Sequence, residues 1–129
     1  MDLNTVREIL LEIDKIGIGE SIQIDELAKN FPNIKIEDIL LIISRLASRY
    51  YVRIDGKYSH ECYNIEKYNR ILGLERDGLE AIDYIKNDKI WSKVQMCLND
   101  NGYNDFSIFT AVELAKEIVK REFTNILNN

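Results

Sequence analysis

A mainly helical α+β fold with one small β-hairpin is predicted by three features of this 129-residue chain. Apolar residues recur at three- and four-residue spacing along most of it. Only one Pro and six Gly interrupt that pattern. An Asp55-Gly56 pair stands between two short runs rich in strand-forming residues. Between residues 20 and 62 these signals run helix, helix, hairpin, the order of parts in a winged helix-turn-helix. From Glu75 onward everything reads helical. The expected architecture is therefore one domain over residues 1–129. A winged-helix core covers 1–74, and a C-terminal helical extension, 75–129, packs on it.

The first helix is expected from about Leu3 to Ile16. Leu3, Val6, Ile9, Leu10, Ile13 and Ile16 make one apolar stripe, and Gly17 and Gly19 stop it. Ser21 to Ile24 alternates polar and apolar as a short strand does. Asp25 is expected to cap a brief helix through Asn30, with Leu27, Ala28 and Phe31 inward, ended by Pro32. The third helix is expected from about Glu37 to Tyr50. Ile36, Ile39, Leu40, Ile43, Leu46, Ala47 and Tyr50 form its buried stripe. Its outer face would carry Asp38, Leu41, Ser44, Arg45, Ser48 and Arg49.

Tyr51, Val52 and Ile54 then favour strand, and Asp55-Gly56 suits a two-residue type I′ turn leading into Lys57 to Cys62. That hairpin is the candidate wing. Asn64 to Asn69 reads as loop, and Arg70 to Leu74 as one more short strand. In the next helix Leu79, Ile82, Tyr84 and Ile85 face inward. A break at Asn87-Asp88 lets Asp88 cap a helix carrying Ile90, Trp91, Val94 and Leu98. The last helix is expected from about Ser107 to Leu127, with Phe109, Val112, Ala115, Val119, Phe123 and Ile126 on its stripe. Thr110 with Glu113 offers a capping box as an alternative start.

Composition narrows the function classes. Apolar residues at 46% and charged residues at 30% suit an ordinary folded domain. The net charge of −5 argues against strong non-specific binding to nucleic acid, which usually needs a basic surface, although a local patch can override it. The abundance of Ile (20) and Asn (12) over Ala (5) fits AT-rich coding DNA. Met1 to Asp14 lacks a basic segment followed by an apolar run, and Ile39 to Ile43 is too short to span a bilayer, so a cytoplasmic setting without membrane contact is expected. Cys62 and Cys97 stand in no motif, so reduced thiols are expected.

Chemistry is hard to assemble from these residues. His60, Glu61 and Cys62 are adjacent donors, but His60 is the single histidine and the other thiol is remote. A four-ligand zinc site is not expected, and one histidine would have to serve everything in a Ser-His-Asp or Cys-His arrangement. No phosphate-binding glycine motif is present. Glu75, Asp77, Glu80 and Asp83 read as an exposed helical face. No enzyme activity, metal or cofactor is expected.

The functional hint is the basic spacing Arg45, Arg49, Arg53, Lys57. The first two are one helical turn apart on the third helix, and the other two stand on the hairpin. Such cations can contact phosphates of double-stranded DNA, with Ser44 and Ser48 near bases. They equally suit a solvated face paired with Asp38 or Asp55, and Glu37 and Asp38 at the helix start repel phosphate. The tyrosines at 50, 51, 58, 63 and 68 could stack on bases or anchor a protein, but they suit strand and core-edge roles better. Leu41, Tyr51 and Tyr58 are the candidate contacts for a protein partner. Trp91 reads as a core or interface plug. The last helix could bury against the domain or pair with a second copy as a homodimer.

Three segments carry a resemblance. Met1-Asp2-Leu3 with Val6-Arg7-Glu8-Ile9-Leu10-Leu11 resembles the first helix of a family of small uncharacterised proteins, a domain of unknown function, from low-GC Gram-positive bacteria, their phages and mobile elements. Leu74-Glu75-Arg76-Asp77-Gly78-Leu79-Glu80-Ala81-Ile82-Asp83 is similar to that family's Leu-Thr-x-x-Gly-His-x-Phe-Leu-Asp signature. Lys86 to Val94 is similar to the Trp-containing segment that follows it. Glu75 replaces the family's Thr, Leu79 its His, and Tyr50-Tyr51 its usual Gly-Leu. The resemblance implies a winged-helix-like fold and no particular activity. The expected function is that of a DNA-binding regulator of a phage or mobile element. The alternative is a non-enzymatic protein-interaction module, such as a host-factor or defence-system binder.

Overall fold

The computed structural model describes residues 2–56, 65–100 and 107–128. Among these, six helices surround a small three-stranded antiparallel sheet. Helix α1 (Leu3–Asp14) starts at Asp2, whose carboxylate accepts a hydrogen bond from the Thr5 N–H at 2.8 Å. Its stripe buries Ile9, Leu10 and Ile13. Strand β1 (Ile22–Gln23) leads directly into α2 (Ile24–Ala28). Asp25 therefore lies within the first turn of α2. The cap is Gln23, which makes no side-chain cap bond, so the expected Asp25 cap is not used.

Helix α3 (Ile36–Ser48) buries Ile39, Ile42, Ile43, Leu46 and Ala47, with Ile36 and Leu40 half-buried. Tyr50, expected on that stripe, lies beyond the helix and is exposed. It adopts φ +62°, the left-handed region that only glycine enters without strain. The turn it makes lets the Tyr51 N–H return to the Leu46 carbonyl at 2.9 Å.

Strands β2 (Val52–Ile54) and β3 (Arg70–Leu74) pair antiparallel, giving the sheet order β1-β3-β2. Val52 lies opposite Leu74 and Ile54 opposite Ile71, with an irregularity between Arg53 and Ile54. Val52, Ile54 and Ile71 face the core. The expected type I′ turn at Asp55-Gly56 is not adopted: it needs positive φ at both residues, and Gly56 has it (φ +96°) but Asp55 does not. Asp55 instead anchors the returning strand. Its N–H donates to the Arg70 carbonyl at 2.8 Å, and its carboxylate accepts from the Arg70 N–H at 2.8 Å. Lys57, Tyr58, His60, Glu61, Cys62 and Tyr63 lie outside the described residues.

Helix α4 (Arg76–Ile85) sits hard against the α3–β2 junction. The Glu75 and Asp77 N–H groups donate to the Tyr51 and Tyr50 carbonyls at 2.9 and 3.1 Å. A Cβ at Gly78 would lie 2.0 Å from the Tyr51 carbonyl oxygen, so only glycine allows this approach. Ala81, Ile82 and Ile85 are buried, but Leu79, expected inward, is 54% exposed. Helix α5 (Asp88–Asp100) buries Ile90, Trp91, Val94 and Leu98, the residues read from its spacing. Asn87 rather than Asp88 caps it, accepting from the Lys89 and Ile90 N–H groups at 2.9 and 3.1 Å.

Helix α6 (Ile108–Asn128) follows Ser107, whose hydroxyl accepts from the Thr110 N–H at 3.3 Å. Ile108, Ala111, Val112 and Ala115 are buried, and Phe109 and Val119 are half-buried. Phe123, Ile126 and Leu127 are exposed.

One core runs through all six helices and the sheet. Arg7 ties α1 to the α4–α5 junction. Its Nε donates to the Ile85 carbonyl at 2.7 Å, and Nη2 reaches the Lys86 carbonyl at 3.2 Å and Asp88 at 2.8 Å. Its guanidinium lies 5.2 Å from the Trp91 ring centroid. The Trp91 indole N–H and the Gln95 amide both donate to the Asn4 side-chain oxygen, at 2.7 and 2.9 Å.

Candidate functional site

The outer face of α3 is where the sequence placed most of its candidate residues. Burying Ile39, Ile43, Leu46 and Ala47 turns Glu37, Asp38, Leu41, Arg45 and Ser48 toward solvent, and all five are exposed. Ser44 is half-buried and engaged within the protein. The Ser48 hydroxyl donates to the Arg45 carbonyl at 2.8 Å, one turn back along the helix. That bond occupies its proton and leaves only acceptor capacity.

The three described cations of the candidate set have different surroundings. Arg45 lines an open groove of about 530 Å³ between the start of α1 and α3, together with Asp2, Lys35, Asp38 and Leu41. Arg49 ends α3 and stacks on Phe109 of α6, its guanidinium carbon 4.3 Å from the ring centroid. Arg53 is exposed on β2 and borders a second cleft, about 310 Å³, with Asp14, Ile18, Leu72 and Leu79. Among the described residues none of the three makes an ion pair, whereas Arg7, Arg76, Lys15, Lys86, Lys93 and Lys116 all do. Among the described residues none of the three pairs with Asp55, whose Oδ1 accepts from the Arg70 N–H and the Asn69 side chain.

Leu41 is 49% exposed and stands over the first groove. Tyr51 is corrected as a partner contact. It is 8% exposed and packs edge-to-face on Phe109, with ring centroids 4.9 Å apart. Burial pushes its phenol pKa up to about 12. Its neighbour Tyr50 takes the exposed position instead. Tyr68, also exposed, lies under the Lys67 ammonium at 5.1 Å. The exposed large apolar side chains of α6 are Phe123, Ile126 and Leu127.

Two residues central to this arrangement were not singled out from the sequence. Arg7 had a visible signal, a cation in the row Leu3-Arg7-Leu10 on an otherwise apolar face. Phe109 had none beyond its place on the α6 stripe, because its partners are about sixty residues away in the chain.

Among the described residues no group of three or more His, Cys, Asp or Glu side chains is placed to hold a metal ion. No described helix is long and apolar enough to cross a membrane. No family model, curated protein or solved structure matches the chain.

Proposed function

We propose that this chain is a small cytoplasmic winged-helix DNA-binding protein, a regulator of a phage or mobile element. In this reading α3 is the recognition helix and the segment from Tyr51 to Cys62 supplies the wing. Arg45, Arg49 and Arg53 contact phosphates, joined by Lys57. The observation that carries the reading is a pair of facts. The order α1-β1-α2-α3-β2-β3 with strands arranged β1-β3-β2 leaves the outer face of α3 uncovered. Arg45 stands on that face and Arg49 at its end, while Arg53 borders the cleft beside Asp14 and Leu72; among the described residues none of the three makes an ion pair. An unpaired exposed Arg can displace counterions from a phosphate without first breaking an internal ion pair.

Glu37 and Asp38 occupy the first turn of α3. They suit the positive end of the helix but repel a phosphate there. Contact therefore runs through the C-terminal half of α3 and β2, not through the helix start. The test is fluorescence anisotropy on a labelled duplex over a salt series. Arg45→Ala with Arg49→Ala is expected to weaken binding uniformly across sequences. It should also flatten the plot of log K against log salt by about two contacts, roughly 1.8 in slope. Unchanged affinity in the double variant would sink the reading.

The alternative, a non-enzymatic protein-interaction module, is favoured by the exposed Leu41 over a groove that mixes Asp2 and Asp38 with Lys35 and Arg45. Such a surface suits one apolar anchor from a protein with charges on both sides. Leu41→Asp separates the two readings. It should abolish protein capture in the second and add one repulsive charge, with only a modest loss of DNA affinity, in the first.

A further inference from the structure

We propose that Phe109 is a positioning residue for Arg49, holding its guanidinium ready for a phosphate; the inference rests on the DNA-binding reading and deepens it. Arg49 is exposed at the end of α3, where a free arginine would sample many rotamers. Ordering such a side chain at an interface lowers affinity, and a side chain ordered beforehand avoids that loss. Phe109 supplies the order. Its ring lies 4.3 Å below the guanidinium carbon, and it is itself braced edge-to-face by Tyr51 at 4.9 Å and 89°.

Tyr51 is fixed in turn. It is buried, its N–H donates to the Leu46 carbonyl, and its own carbonyl accepts from the Glu75 N–H, both at 2.9 Å. The platform under Arg49 is thus built from α6, the α3–β2 junction and the start of α4. A cation–π contact restrains the guanidinium without using up its N–H donors, the groups that grip a phosphate. Among the described residues Arg49 makes no ion pair, although the Glu113 and Asp77 carboxylates act on the neighbouring Tyr51. The C-terminal helices are then part of the DNA-binding apparatus without touching DNA.

A double-mutant cycle on a fluorescein-labelled mixed-sequence duplex, read by anisotropy at low and physiological salt, tests this. Phe109→Leu should weaken binding by about two- to fivefold, the range of an exposed cation–π contact, with the salt slope unchanged because the charge remains. In an Arg49→Ala background the same change should have no further effect. Phe109→Tyr, which keeps the ring, should restore binding. Arg49→Lys, on an intact platform, should keep the salt slope and lose affinity, which guards against misfolding of Phe109→Leu.

Equal losses from Phe109→Leu in both backgrounds, no loss at all, or native affinity for Arg49→Lys would each overturn the inference while leaving the DNA reading in place. A native chain that binds no duplex at low salt would remove the reading and the inference together.

Discussion

At the scale of single residues, the α3–β2 junction is the most constrained point in the molecule. Tyr50 holds a left-handed backbone, which costs a non-glycine residue roughly 1–2 kcal/mol. The turn is kept because it places the Tyr50 and Tyr51 carbonyls against the first N–H groups of the α4 end. Those groups would otherwise lack partners inside the helix. Gly78 completes the contact by having no side chain. Gly78→Ala is expected to destabilise the fold by about 2–4 kcal/mol, although alanine is the better helix former by about 1 kcal/mol. The clash wins because the obstructing atom is backbone, 2.0 Å away, and cannot rotate aside. Urea denaturation measures it, and a neutral or stabilising alanine would show that α4 can shift.

At the scale of elements, the α4–α5 junction is held more by hydrogen bonds to carbonyls than by an ion pair. Arg7 is nearly buried, but Asp88 is 93% exposed at its side chain. A pair with one partner in full solvent contributes little, about 0–1 kcal/mol. The Ile85 carbonyl is different, because Ile85 is fully buried and Arg7 is the donor that reaches this carbonyl from outside the helix. Arg7→Ala should therefore cost roughly 3 kcal/mol, adding lost packing on Trp91 to an unsatisfied carbonyl. Asp88→Asn should cost less than about 1 kcal/mol. Comparable losses in the two variants, by thermal or chemical denaturation, would mean that the ion pair dominates.

At the scale of the whole molecule, the two sequence segments read as core and extension share one interior. The side chains of α1 reach α4 and α5 through Arg7 and Asn4, and the buried set runs from Ile9 to Ala115. The chain should therefore unfold in one step. Trp91 fluorescence, which reports α5, and far-ultraviolet circular dichroism, which reports all helices, should give the same urea midpoint. Two midpoints would mean that residues 75–128 melt separately. A fragment ending at Leu74 should not fold, because it lacks the surface that covers α1.

The amphipathic period legislated most of the helices in advance. Ile9-Leu10-Ile13, Ile39-Ile43-Leu46-Ala47 and Ile90-Trp91-Val94-Leu98 are buried where their spacing put them, because three- and four-residue repeats fix a face whatever it packs against. The exposed Leu41 and Arg45 were legible for the same reason. Strand partners were not. Asp55-Gly56 carries a local turn signal, but nothing local states that Ile54 lies opposite Ile71, a register set by burial of the sheet face. Nor could spacing tell that Leu79 and Phe123 lie open while Ile82 and Val112 are covered. A stripe states which side is apolar, but only the neighbouring elements decide how much of it they reach. The stack of Arg49, Phe109 and Tyr51 belongs to that second kind. Its members are far apart in the chain, and only packing α6 on the end of α3 brings them together.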